Sequence, residues 1–190
     1  DVTAVVERSI EAGIDKIFMP NIDLDSIEGM LSLEQKFPGH CYPMLGLHPC
    51  DVDKGFEKTL TEMKKWWDKH TFYGVGETGI DLYWDKTYLE EQKTALKIQV
   101  DWAKEKQLPL ILHCRESLDE TIELLAPLVD KRLTGIFHCF SGTLAQAKQI
   151  IEMGFYLGIG GTLTYKNSGV GAVIKDIGPQ HLVLETDSPY

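Results

Sequence analysis

Apolar stretches of strand length recur along this chain, each followed by a longer stretch with helical spacing of its apolar residues. Ile14–Asn21, Cys41–Leu47, Phe72–Glu77, Leu108–His113, Leu133–His138, Phe155–Ile159 and His181–Asp187 read as strands. Ser26–Phe37, Phe56–Lys69, Tyr88–Lys106, Leu118–Val129, Leu144–Met153 and Val170–Ile177 read as the helices between them, and Val2–Ala12 as a helix leading into the first strand. Each interval is long enough for a strand and its crossover helix, so the strands run parallel. Several are apolar throughout, as strands covered on both faces are. The expectation is a single α/β domain over residues 1–190, a TIM-type (β/α)8 barrel that is incomplete, with about seven strands. A doubly wound open sheet is the rival. The chain opens on a helix and stops at a strand end, so it reads as a barrel lacking its first strand and final helix, truncated at both ends.

Composition narrows the function classes. Of 190 residues, 43% are hydrophobic and 25% charged, which is globular composition. No apolar run approaches the ~20 residues a membrane helix needs, and the N-terminus carries no secretory pattern. The cysteines Cys41, Cys50, Cys114 and Cys139 form no CxxC pair and read as reduced thiols of a cytoplasmic protein. Nineteen basic residues against 29 acidic ones leave a net charge of -10. A chain this acidic cannot attract a long polyanion through its bulk field, so any phosphate binding has to be local.

The residues that end the strands carry the chemical signal. They are Asn21, His48, Glu77, His113, His138, Gly160 and Asp187. Parallel strands bring their C-terminal ends to one rim, where barrel active sites form. Glu77, His113, His138 and Asp187 together are a donor set for a divalent metal ion. The rival is a buried polar network without a cation, which must hold carboxylates in a low dielectric and is costly. Strand alternation places Cys114 and Cys139 on the faces opposite His113 and His138, as packing thiols rather than members of a zinc Cys2His2 site. The same rule puts Arg115 with His113, Glu185 with Asp187, and Gly79 and Asp81 with Glu77.

The runs Gly46-Leu47-His48-Pro49, Gly76-Glu77-Thr78-Gly79-Ile80-Asp81, Leu112-His113-Cys114-Arg115, Phe137-His138-Cys139-Phe140-Ser141-Gly142 and Glu185-Thr186-Asp187-Ser188-Pro189-Tyr190 occur in this order. Together they resemble the TatD family of metal-dependent deoxyribonucleases, within the metal-dependent hydrolase superfamily. The resemblance implies a barrel with two divalent metal ions (Mg, Mn or Zn). It implies that Glu77 bridges the ions, that His113 and His138 ligate one, and that Asp187 completes the other and handles the nucleophilic water. Glu77 and Asp187 are thus the expected catalytic pair. The family's first strand carries a His-x-His pair that this sequence lacks, and the family continues past the last motif, which again reads as a fragment.

The activity implied is exonucleolytic hydrolysis of DNA, single-stranded or at strand ends, by a water activated by two metals. No membrane and no obligate protein partner are expected. His48 and Arg115 are candidate phosphate contacts. His48 is equally well read as part of a loop fixed by Pro49, and Arg115 as half of an ion pair. Lys166 and Asn167 either line a groove or belong to a solvated loop. Tyr83, Trp84, Phe140 and Tyr165 either stack on bases or pack their loops. Two other functions stay open: a superfamily hydrolase of an amide, lactone or small phosphoester, and a binding module without catalysis.

Overall fold

The computed structural model describes residues 1–187. Seven strands follow one another in it: β1 (Ile17–Pro20), β2 (Cys41–Met44), β3 (Val75–Asp81), β4 (Leu110–Arg115), β5 (Gly135–Phe137), β6 (Phe155–Ile159) and β7 (Leu182–Leu184). β1 pairs with β2, and β3 to β7 form a five-stranded sheet; a single bridge from Leu45 to Val75 joins the two. Every ladder is parallel and joins neighbours in sequence. A doubly wound sheet reverses its strand order at a switch point. This one does not reverse, and its progression is that of a (β/α) barrel. Among the described residues no ladder joins β7 to β1.

The helices are α1 (Val2–Glu11), α2 (Ser26–Lys36), α3 (Phe56–Lys64), α4 (Leu89–Lys106), α5 (Leu118–Leu125), α6 (Leu144–Glu152) and α7 (Val170–Ile177). Two stop short of the sequence expectation. α5 passes into a 3₁₀ turn at Ala126–Leu128, because Pro127 has no N–H to continue the helix. α3 tightens into a 3₁₀ turn at Lys65–Asp68, where Trp67 packs edge-on against Phe72 and Trp102. α6 starts at a reciprocal cap, Thr143 accepting from the Gln146 N–H while the Gln146 side chain accepts from the Thr143 N–H. Among the described residues no helix is long and apolar enough to cross a membrane.

The core lies between sheet and helices. Leu96, Val100 and Ala103 of α4 bury against Val75, Ile80, Leu110 and Leu112, and Phe137, Phe155 and Leu157 extend the same cluster. Burying each large aliphatic side chain contributes about 1.5–3 kcal/mol. The helix-facing side of β4 continues to Cys114, whose thiol contacts Thr121 of α5 and is pushed up to about 12 by burial. His113, the preceding residue, therefore faces the opposite side, as alternation requires.

Candidate metal centre

Glu77 is not at the end of its strand, as the sequence pattern places it, but inside β3, which runs on to Asp81. Glycine makes that continuation feasible. Gly79 has φ +148, and a Cβ on it would lie 2.0 Å from the carbonyl oxygen of His113. Val75 pairs with Leu110 but Thr78 with Leu112, so β3 carries one more residue than β4 across this step. Such a bulge re-aims a side chain, and the residue it re-aims is Glu77. Asn21, 2% exposed, stitches the neighbouring rim together. Its carbonyl accepts the Glu77 N–H at 2.7 Å, its N–H donates to Met44 and Gly76, and its Nδ2 donates to the Gly46 carbonyl at 3.0 Å.

Three imidazoles converge on one oxygen of Glu77. Oε1 lies 3.1 Å from His113 Nδ1, 3.7 Å from His138 Nε2 and 3.7 Å from His48 Nε2. Asp187 Oδ1 stands 3.5 Å from His138 Nε2. Glu77 thus has His113, His138 and His48 around it, and Asp187 meets this cluster through His138.

What the far nitrogen of each ring does separates the rings into two kinds. His113 Nε2 bonds Asp81 Oδ2 at 2.8 Å, and His138 Nδ1 bonds Glu185 Oε2. A carboxylate keeps a proton on the nitrogen it faces, so the neutral ring turns its lone pair the other way. For His113 and His138 that is towards Glu77, the arrangement of metal-binding imidazoles braced by an outer carboxylate. His48 is the reverse. Its Nδ1 accepts the Cys50 N–H at 3.2 Å, so the neutral ring carries its proton on Nε2 and presents a donor to Glu77. Nitrogen and carboxylate ligands bound at about 2.0–2.2 Å to one ion lie about 3–4 Å apart. Glu77 meets His113 at 3.1 Å and His138 at 3.7 Å, and His138 meets Asp187 at 3.5 Å, contacts of that length. Among the described residues, the group whose ligand atoms all lie within 4.8 Å of one another is His48, Glu77 and His113, a nitrogen and carboxylate donor set that fits a divalent cation.

The electrostatics follow the same division. Burial lowers the pKa of His138, but the Glu185 bond and the charges of Glu77, Glu185 and Asp187 outweigh it and raise the ring to about 9. His113 is raised likewise, its bonds to Glu77 and Asp81 outweighing burial. For His48, burial leads, the neighbouring His113 adds to it, and Glu77 and Asp81 only partly oppose; the ring is lowered to about 4. Burial pushes the Glu77 carboxyl up, yet the His113 bond and the surrounding imidazoles hold it below its ordinary range. An imidazolium at His138 thus sets a positive charge against Glu77, Glu185 and Asp187.

The remaining expected residues divide. Arg115 forms no ion pair among the described residues; its guanidinium lies over the Tyr83 ring, 3.8 Å from the centroid, and 5.4 Å from that of Trp84. Cys114 and Cys139 stay out of the ligand group. Phe140 is buried and packs its loop, while Tyr83, Trp84 and Tyr165 are exposed. Lys166 and Asn167 are exposed as well. Of the motif from Glu185 to Tyr190, Ser188, Pro189 and Tyr190 lie outside the described residues.

Sequence reasoning assigned no role to four residues that hold the centre. Asp81 and Glu185 were placed on the right faces, but their function as braces depends on which ring nitrogen each meets. Gln92 and Gln99 project from the buried face of α4. Gln92 Oε1 accepts the Asp81 N–H at 2.9 Å. Gln99 donates to Thr78 Oγ1 at 2.6 Å, and its Oε1 accepts the Leu47 N–H at 2.8 Å. The available signal was their spacing of two helical turns among Leu96, Val100 and Ala103.

Comparison with known proteins places this geometry among relatives. A family model described as "TatD related DNase" matches residues 1–190. The chain is 33% identical over 192 residues to the uncharacterized metal-dependent hydrolase YjjV of Escherichia coli, covering 100% of this chain and 73% of that protein. It is 30% identical over 192 residues to the 3'-5' ssDNA/RNA exonuclease TatD of Edwardsiella piscicida, covering 100% of this chain and 74% of the relative. The crystal structure of YjjV superposes with a TM-score of 0.91 over 100% of this chain and 73% of its own.

Proposed function

We propose, from the premise that this chain belongs to the TatD-related DNase family of metal-dependent hydrolases, that it cleaves phosphodiester bonds of single-stranded DNA from strand ends, with two divalent cations at the Glu77 cluster. The observation that carries the reading is the opposed bracing of two rings. Asp81 behind His113 and Glu185 behind His138 turn the inner nitrogens of both rings towards the Glu77 carboxylate. A relative at 30% identity bears the name of a single-strand exonuclease, which supports nucleic acid over a small amide or lactone.

A divalent cation supplies polarisation of the phosphoryl oxygens and a water acidic enough to attack at neutral pH. The chain's own groups do the rest. Asp187 is the open carboxylate of the set, its side chain 63% exposed, and is the group we assign to take the proton of an incoming water. Glu77, 15% exposed and ringed by imidazoles, holds a fixed position rather than moving a proton. His48, neutral and with its Nε2–H turned into the site, donates to a non-bridging phosphate oxygen. Arg115 offers a second donor from the end of β4, delocalised and, among the described residues, without a carboxylate partner.

The test is release of nucleotides from end-labelled single-stranded DNA, with a panel of small phosphoesters, amides and lactones in parallel. Release is expected to stop in chelator and return with Mg²⁺ or Mn²⁺. Turnover of DNA in excess chelator would overturn the metal reading, and turnover of an amide or lactone without DNA cleavage would overturn the substrate.

A further inference from the structure

Beyond β3 the chain turns through Tyr83 and Trp84 and leaves both rings on the surface, Tyr83 48% and Trp84 69% exposed. Free indole surface of this size is costly in water, yet the segment is held. Asp81, 1% exposed, accepts the N–H groups of Tyr83 at 2.9 Å and Trp84 at 3.0 Å on Oδ1. Its other oxygen bonds His113 Nε2 at 2.8 Å. One buried carboxylate thus ties the aromatic turn and a candidate metal ligand into one unit. The rings are ordered among themselves as well. Arg115 lies 3.8 Å over Tyr83, and Tyr83 meets Trp84 edge-on with centroids 4.8 Å apart.

The other side of Trp84 has a different character. A cleft of about 300 Å³ runs between Trp84 and the segment after His48, and Asp51, Asp53, Asp81 and Asp85 line it. No Lys or Arg lines it. Four carboxylates repel a phosphate there, while a neutral ring meets no such opposition. The guanidinium of Arg115, on the Tyr83 side, attracts one. The turn therefore presents an aromatic face with a cation on one side and an anion-excluding wall on the other. A nucleotide is polarised in the same sense, with a flat uncharged base at one end and a phosphate at the other.

Resting on the nuclease reading above, we propose that Trp84, ordered by Tyr83 and Arg115, is the stacking subsite for an unpaired nucleobase next to the scissile phosphate. The base lies on the Trp84 ring and its phosphate faces Arg115. Only an unstacked base offers its face, so the subsite selects single strands or frayed ends over duplex. Asp81 makes the placement rigid relative to His113, so a stacked base sets the register of the strand against the catalytic groups.

The test separates binding from cleavage. Anisotropy of an end-labelled thymidine hexamer, and of the same hexamer built of abasic sugar-phosphates, is measured with the wild-type chain, Trp84→Ala and Trp84→Phe, each in Mg²⁺ and in chelator. The two hexamers carry equal charge and differ only in their bases. Wild type is expected to bind the thymidine strand about tenfold more tightly than the abasic one, the scale of one base–aromatic stack. Trp84→Ala is expected to bind both alike, and Trp84→Phe to regain most of the difference. Equal affinity of the wild type for the two strands, no binding of either, or a preference that survives in Trp84→Ala would overturn the subsite. Cleavage of the same strands judges the nuclease reading separately: base-dependent binding without cleavage removes that reading alone, and cleavage indifferent to bases removes the subsite alone.

Discussion

Asp81 Oδ2 lies 2.8 Å from His113 Nε2, on the side of the ring away from Glu77. The contact decides which nitrogen of His113 keeps its proton and therefore which one is free to bind an ion. Asp81→Asn preserves shape but replaces a carboxylate by an amide that either accepts weakly or donates. Metal affinity is expected to fall about 10–100-fold, the usual cost of losing such a brace. Isothermal titration with Mn²⁺ measures it, and ¹⁵N shifts of the His113 ring report the tautomer. Unchanged affinity with an unchanged tautomer would leave Asp81 with a purely structural role.

Asp187 differs from the other candidate ligands in being open to solvent, 63% exposed against 15% for Glu77. Asp187→Asn keeps an oxygen in place but removes the base. Turnover on single-stranded DNA is expected to drop by about 10²–10⁴-fold, the range of a lost general base, with a much smaller change in bound metal. Parallel losses in kcat and in metal content would reduce Asp187 to a ligand.

Gln99 satisfies the buried Thr78 hydroxyl and both backbone groups of Leu47 with one amide. Gln99→Leu matches the volume roughly and orphans those groups. Each buried polar group left without a partner costs about 1–3 kcal/mol. Thermal denaturation is expected to shift down by several degrees, at about 2–4 °C per kcal/mol for a chain of this size. Since Thr78 follows Glu77, metal affinity should weaken too; a melt equal to wild type would show that the amide is dispensable.

The thiols give a pH test outside the reaction. Burial, with a smaller contribution from Glu34, pushes Cys41 above the ordinary thiol range, and burial takes Cys114 to about 12. A raised thiol pKa means less thiolate at any given pH, so alkylation by iodoacetamide should be slow at pH 8 in the native chain. The rate should climb as pH rises towards those values and jump on denaturation. Prompt modification of both residues in the folded chain at pH 8 would contradict their burial.

Much of the fold was legible because it rests on local pattern. The period of apolar residues located all seven described strands, and the intervals between them required parallel crossovers. Phe155–Ile159 and Val170–Ile177 match their expected bounds. Strand ends were read less well. β3 extends past Glu77 because two glycines tolerate a backbone that other residues resist, and its bulge depends on register with β4.

The candidate ligands were legible for a related reason: strand direction alone carries Glu77, His113, His138 and Asp187 to a common rim, whatever the helices do. Their chemistry was not. An imidazole has two nitrogens, and no linear pattern says which one meets a carboxylate. Only packing sets His48 Nδ1 against the Cys50 N–H while His113 and His138 give their outer nitrogens to Asp81 and Glu185. Composition and periodicity determined that imidazoles and carboxylates would meet. Contacts between residues distant in the chain decided which ring nitrogens meet a carboxylate and which one meets a backbone N–H, because only packing brings those partners together.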